Sequence, residues 1–215
     1  MAIVLFSRPN DDTTLNYLFY YSKELVSESN KLGHKTINKE GMDTTKEILN
    51  SVIKKQKPEL IMFNGHGSSE AICGHGQEVI ISAKENPEIL ESSIVYSLSC
   101  SSALELGPKS IENGAIAFIG YEFDFALGKD PESEASPRHD KIAKLFLEPS
   151  NILFSSLLNR KDVKISVEKA KKKMEENINY LHTTEAFPEA IYYAPFLFSN
   201  YLGLVAHGNN EAFID

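Results

Sequence analysis

The sequence predicts an α/β fold, a three-layer α/β/α sandwich around a mostly parallel sheet. Short apolar runs, rich in β-branched and aromatic residues and bounded by polar ones, recur along the chain as expected for buried strands. Amphipathic helical segments lie between the first of them, and this β–α–β–α–β alternation is typical of a parallel sheet covered on both faces. A chain of 215 residues with 42% hydrophobic residues can bury a substantial core, so we expect one domain spanning 1–215.

The first part of the chain supplies alternating strands and helices. A helix is expected from Thr14 to about Asn30, capped by Asp12 or Thr13. A second helix would begin after Asp43 or Thr44 and end before Pro58. The strands around these helices are predicted at 2–6, at 35–38 and in the apolar run that opens the segment 60–68, LIMFNGHGS.

The second part begins with a predicted hairpin and a buried strand. After that strand we expect a helix that ends at Asn113-Gly114, and a polar surface loop at 128–140. The predicted elements are a hairpin at 71–82, a short helix at 87–90, strands at 94–98 and 115–125, helices at about 139–147, 151–158 and 164–181, and a closing β-hairpin at 196–199 and 202–206.

Composition excludes several classes of function. A net charge of −8 argues against a nucleic-acid-binding surface. The two cysteines, Cys73 and Cys100, are too few for a disulfide scaffold, and a reducing compartment suits a free thiol. The N-terminal residues have neither a basic start nor a long apolar region, so we expect no signal peptide, and no apolar run approaches the ~20 residues of a membrane span. We therefore expect a cytoplasmic protein without nucleic-acid or membrane partners.

Two strand-end motifs carry the candidate chemistry. The apolar strand Ile94-Val95-Tyr96-Ser97-Leu98 leads into Ser99-Cys100-Ser101-Ser102-Ala103, and the apolar run that opens at Leu60 ends at His66, between Gly65 and Gly67. A thiol and an imidazole at the ends of neighbouring strands form a candidate nucleophile–base pair. We further expect a helix directly after Cys100, whose N-terminus would favour the thiolate.

This pair of motifs resembles that of the caspase-like cysteine peptidases, closest to the CHAT and gingipain-like members, where an apolar block and His-Gly precede an apolar block and Cys. The resemblance implies the caspase-like fold and endopeptidase activity through a dyad of His66 and Cys100. It also implies that the backbone N–H groups of Gly67 and Cys100 bind the oxyanion. No cofactor or metal is implied.

The resemblance and the strand pattern together suggest a specificity residue. Alternation along 121–125 places Glu122 and Asp124 on one face of the predicted strand. An acid after the equivalent strand recognises arginine or lysine in some members, so Asp124 is the first candidate and Glu122 the second. Caspases instead carry a pocket arginine after the first strand, and Arg8, expected in such a loop, would select an acidic residue.

Other functions remain open at this stage. The same fold could serve as a catalytically silent interaction module, or the thiol could belong to an amidase. The expected partners are a protein or peptide substrate and, as for many CHAT peptidases, a separate regulatory protein. Cys73 and His75 are too few for a zinc site, and the hairpin could bring His75 near substrate.

Overall fold

The computed structural model describes residues 1–183, 185–187 and 189–215, and its centre is a six-stranded sheet. The strand order is β2-β1-β3-β7-β8-β9; β9 runs antiparallel to β8, and the other neighbouring pairs are parallel. The predicted fold class is confirmed. The strands of this sheet are β1 (Ile3–Arg8), β2 (Lys35–Glu40), β3 (Leu60–Asn64), β7 (Ile94–Leu98), β8 (Ala117–Tyr121) and β9 (Leu204–Gly208).

Helices cover both faces of the sheet, because successive strand residues point to opposite sides. On β3, Met62 packs into one core and Ile61 and Phe63 into the other. The first core includes residues of α1 (Thr13–Lys31), α4 (Lys141–Leu158), α5 (Val163–Leu181) and α6 (Ala194–Gly203); the second includes residues of α2 (Lys46–Gln56) and α3 (Leu106–Glu112).

A small antiparallel sheet lies between β3 and β7 in the chain. It contains β4 (Gly67–Ser68), β5 (Ala71–Cys73) and β6 (Val79–Ser82). The predicted hairpin at 71–82 is therefore confirmed, with β4 as an additional strand. Three of its apolar side chains, Ile72, Ile80 and Ile81, are fully buried in the core with residues of α2 and α3.

Three predictions for the C-terminal half were wrong. The predicted strand 115–125 ends at Tyr121. The two helices predicted at about 139–147 and 151–158 form one helix, α4, which continues through Pro149. The closing hairpin is instead α6, with Pro195 in its first turn, followed by β9 on the sheet edge. No helix in the described part of the chain combines the length and hydropathy needed to cross a bilayer.

Candidate active site

The two sequence motifs lie side by side at one edge of the sheet. Strands β3 and β7 are parallel neighbours, and their last residues, Asn64 and Leu98, are register partners. His66 and Cys100 each follow two residues later, so both leave the carboxyl edge of the sheet at the same level. Both side chains are partly exposed, as groups that meet a substrate must be.

Glycines bring the two segments into direct contact. A Cβ on Gly67 would lie 2.8 Å from the carbonyl oxygen of Cys100 and 2.9 Å from the Oγ of Ser99, closer than real side chains pack. Gly65 lies even closer to its neighbour, since its Cβ would be 2.2 Å from the Cys73 carbonyl oxygen. The glycines that flank His66 therefore allow its segment to pass between β5 and the Cys100 backbone.

Asp12 holds the imidazole of His66. His66 Nε2 lies 2.5 Å from Asp12 Oδ2, and because a carboxylate only accepts, Nε2 carries the proton and donates it. The other oxygen, Oδ1, accepts the Leu15 N–H at 2.8 Å and so caps α1. Burial alone would raise the pKa of Asp12, but the bonds from His66 and Leu15 outweigh it and lower the pKa. Sequence analysis identified Asp12 only as a helix cap.

The environment of Cys100 favours its neutral thiol. Burial raises the pKa of Cys100; the nearby Phe125 backbone N–H acts against this, and the Asp124 carboxylate adds to it. The predicted stabilising helix is also absent at this point, because residues 101–105 form turns and α3 begins only at Leu106. The expectation of a thiolate at a helix N-terminus was wrong.

The turn after Cys100 contains a left-handed residue. Ser101 has φ +53°, a conformation that side chains rarely adopt. Its N–H donates to the carbonyl oxygen of Phe123 at 3.0 Å, and its hydroxyl donates to Asp124 Oδ1 at 2.7 Å. Two bonds to the segment after β8 thus hold this turn and bring Asp124 beside Cys100.

The two candidate specificity acids occupy different surroundings. Asp124 is exposed at the Cys100 turn. The backbone N–H of Glu122 donates to Gly203 at 2.9 Å, and its carboxylate lies near enough to Lys171 on α5 for their charges to attract. Because β8 ends at Tyr121, strand alternation does not decide where these acids point, and contacts after the strand do.

Arg8 does not lie in an open loop as expected. It is the last residue of β1 and is 1% exposed. Its guanidinium donates to Ser22 Oγ at 2.8 Å, to Glu40 Oε1 at 2.6 Å and to the Phe19 carbonyl oxygen, and it lies 4.3 Å from the centre of the Phe19 ring. With its donors used inside the protein, Arg8 is a structural residue rather than a pocket for an acidic side chain.

The hairpin pair Cys73 and His75 forms no metal site. His75 Nδ1 lies 3.5 Å from Asp11, and burial raises the pKa of the Cys73 thiol. Across residues 1–183, 185–187 and 189–215, no three His, Cys, Asp or Glu side chains are grouped to bind an ion. His75 contacts Asp11, and His66 contacts the next residue, Asp12. The hairpin therefore lies beside the candidate site.

Comparison with known proteins detects similarity in structure only. No protein-family model and no curated protein matches the sequence. Two solved structures match 99% of this chain: the Arg-specific cysteine proteinase gingipain R, with a TM-score of 0.63, and the complex of the pro- and mature domains of RgpB from Porphyromonas gingivalis, with 0.62. Sequence identity is 9% in both, and the chain spans about half of either protein (47% and 48%). The chain thus shares the caspase-like α/β fold of these gingipain structures.

Proposed function

We propose that this protein is a cysteine endopeptidase that uses Cys100 as nucleophile and His66 as general acid and base. The observation that carries the proposal is the contact between the two motifs: they end paired parallel strands, and Gly67 packs directly on the backbone of residues 99 and 100. A fold similar to that of an Arg-specific cysteine proteinase supports the same chemistry.

The hydrogen bond to Asp12 supports a separate role for each nitrogen of His66 in the proposed mechanism. Because Nε2–H donates to the carboxylate, Nδ1 is the nitrogen left to accept the proton of the Cys100 thiol. The thiolate then forms a bond to the peptide carbonyl carbon, and the imidazolium returns its proton to the departing amine. A water deprotonated by Nδ1 hydrolyses the thioester and restores both groups.

Backbone donors complete this mechanism. The resemblance to caspase-like peptidases assigns the oxyanion to the N–H groups of Gly67 and Cys100, and these two residues belong to segments in direct contact. Such preorganised donors typically contribute about 3 kcal/mol of transition-state stabilisation. Asp12 acts through His66, so we regard it as a positioning residue.

We also propose that the protein cuts after a basic residue of its substrate. Asp124 is exposed, negatively charged and fixed beside Cys100 by the Ser101 hydroxyl. We propose that it pairs with an arginine or lysine side chain of the substrate, with Glu122 as the second candidate. The buried Arg8 offers no support for cleavage after an acidic residue.

Cleavage of a peptide library by wild type, Cys100→Ala and Asp124→Ala tests this function. We expect cuts after arginine or lysine that disappear in Cys100→Ala and weaken in Asp124→Ala. Cys73→Ala is the matched control, because it removes the other thiol from the hairpin and should leave cleavage unchanged. Turnover that persists in Cys100→Ala would contradict the proposal.

One observation favours a second candidate, a silent module with a peptidase fold. Burial and the Asp124 carboxylate both raise the pKa of Cys100, which disfavours the thiolate that a nucleophile needs. A Cys100 that a peptide electrophile does not modify, together with no peptide turnover, would support this candidate. A Cys100 that reacts while no peptide is cut would instead indicate a missing activator. The sequence 100–103 also resembles the CHAT group, and on that ground we propose that a separate protein regulates the activity.

A further inference from the structure

A cavity of about 460 Å³ is lined in part by the chain segment that follows β8. This segment, residues 123–126, runs beside Cys100: Phe123 and Asp124 accept hydrogen bonds from Ser101, and the Phe125 backbone N–H lies near the Cys100 sulfur. Ala126, the next residue, is already part of the cavity wall. The cavity therefore begins two residues beyond Asp124, which is hydrogen-bonded to the turn after Cys100.

The walls of the cavity are apolar. Ala126, Leu127 and Pro131 contribute from the segment after β8, and Tyr193 and Phe196 contribute from the start of α6. Lys129 also borders it, but its ammonium lies over the Tyr17 ring at 5.8 Å and reaches Thr14 on α1. Glu134, the remaining charged residue of the lining, is exposed. The interior therefore suits an uncharged, bulky group.

The cavity is part of the rigid fold. The buried Asn200 side chain accepts a hydrogen bond from the Ala126 N–H at 2.9 Å and donates one to the Ala126 carbonyl oxygen at 2.8 Å. Two hydrogen bonds thus attach this wall residue to α6. Further along, a Cβ on Gly128 would lie 2.5 Å from Phe146 and 2.8 Å from Tyr193, which shows how closely the backbone packs there. A preformed, mostly apolar cavity within the range of about 300–1,000 Å³ is typical of a ligand site.

We propose that this cavity binds an aromatic or large aliphatic side chain of the peptide substrate, at one of the residues flanking the cut bond. The inference rests on the proposed peptidase function and adds a second requirement to it. A peptide held with its carbonyl at Cys100 passes the adjoining segment within a few residues, so one of its side chains reaches the cavity while Asp124 meets a basic neighbour. The preferred substrate thus combines a basic and a bulky apolar residue.

Peptide binding to Cys100→Ala tests the cavity independently of turnover. The probes are fluorescent peptides with one arginine, in which each flanking position carries phenylalanine or alanine in turn. We expect phenylalanine at one position to bind at least ten-fold more tightly than alanine, equivalent to about 1.4 kcal/mol. Ala126→Trp, which fills the cavity, and Phe196→Ala, which removes an exposed wall residue, should each abolish this preference.

Phe198→Ala is the matched control. Phe198 lies on the same helix and is similarly exposed, at 49% against 57% for Phe196, but it stacks on Tyr201 away from the cavity. Its variant should keep the full preference. No preference at any position, or a preference that survives both cavity variants, would overturn the inference.

Cleavage of the same peptides by the wild-type protein separates this inference from the proposed function. Peptides that bind with the cavity-dependent preference but are never cut would refute the peptidase and keep the cavity. Peptides that are cut by a Cys100-dependent activity without such a preference would refute the cavity and keep the peptidase.

Discussion

Replacing Gly67 with alanine should separate the two candidate catalytic segments. The new Cβ would lie 2.8 Å from the Cys100 carbonyl oxygen, and ordinary contact begins at about 3.4 Å, so the backbones must move apart by about 0.6 Å (3.4 − 2.8). Overpacking of this kind typically costs about 1–3 kcal/mol of stability. A displacement of 1 Å can lower a rate about 100-fold, so we expect the rate of peptide cleavage to fall about 10- to 100-fold.

The assay compares peptide cleavage, iodoacetamide labelling of Cys100 and thermal unfolding in one set of variants. For a chain of this length, 2 kcal/mol corresponds to a fall of about 4–8 °C in Tm. Gly33→Ala is the control: Gly33 has φ +80° and open space around it, so alanine should cost about 1–2 kcal/mol far from the site. Cleavage should survive in that variant. A Gly67→Ala protein with wild-type cleavage would refute the proposed contact between the segments.

Three further changes test the charges around the site. Asp12→Asn removes the ionised partner of His66, so steady-state kinetics should show a kcat at least about 10-fold lower while KM changes little. Because the pKa of Asp12 is lowered in the folded protein, the stability that Asp12 contributes should be full above about pH 4 and should be lost as the pH falls through the pKa of the folded state. Urea unfolding curves of the variant should lack this pH-dependent contribution. Asp124→Asn removes a carboxylate that raises the pKa of Cys100, so the pH profile of iodoacetamide labelling should move to lower pH; an unmoved profile would contradict that interaction. Arg8→Met removes the buried donors to Ser22 and Phe19, so urea unfolding should show a loss of about 2–4 kcal/mol, whereas the residue preference of any cleavage should stay the same.

Local patterns predicted the first half of the fold with small errors. Helix α1 begins one residue before the predicted Thr14, with Asp12 as its cap, because capping depends on neighbouring residues alone. Helix α2 is capped by Thr45 instead of Asp43 or Thr44, since Thr44 bonds back to Gly41 and the chain turns once more before the helix. Buried strands such as β3 and β7 were placed correctly, because a continuous apolar run has few alternatives there.

The errors in the second half arise where tertiary packing outweighs local preference. The segment 194–203 is rich in aromatic residues, which favour strands, yet it forms α6 because Ala194 and Leu197 bury one side against the core and Pro195 suits a first helical turn. A proline inside a helix usually ends it. At Pro149, however, the residues on both sides pack on the same core, and α4 continues.

The sequence identified the candidate nucleophile and base, but it did not identify Asp12 as the partner of His66. His66 and Cys100 follow apolar runs, and parallel topology then brings their segments to one edge of the sheet, so sequence alone could pair them. Asp12 is 54 residues from His66, and its visible role as a helix cap already accounted for its side chain. The carboxylate in fact bonds with both oxygens, one to the helix and one to the imidazole. The same cap that starts α1 therefore fixes the orientation of His66, so the ring's geometry depends on the first helix as much as on the strand that carries it.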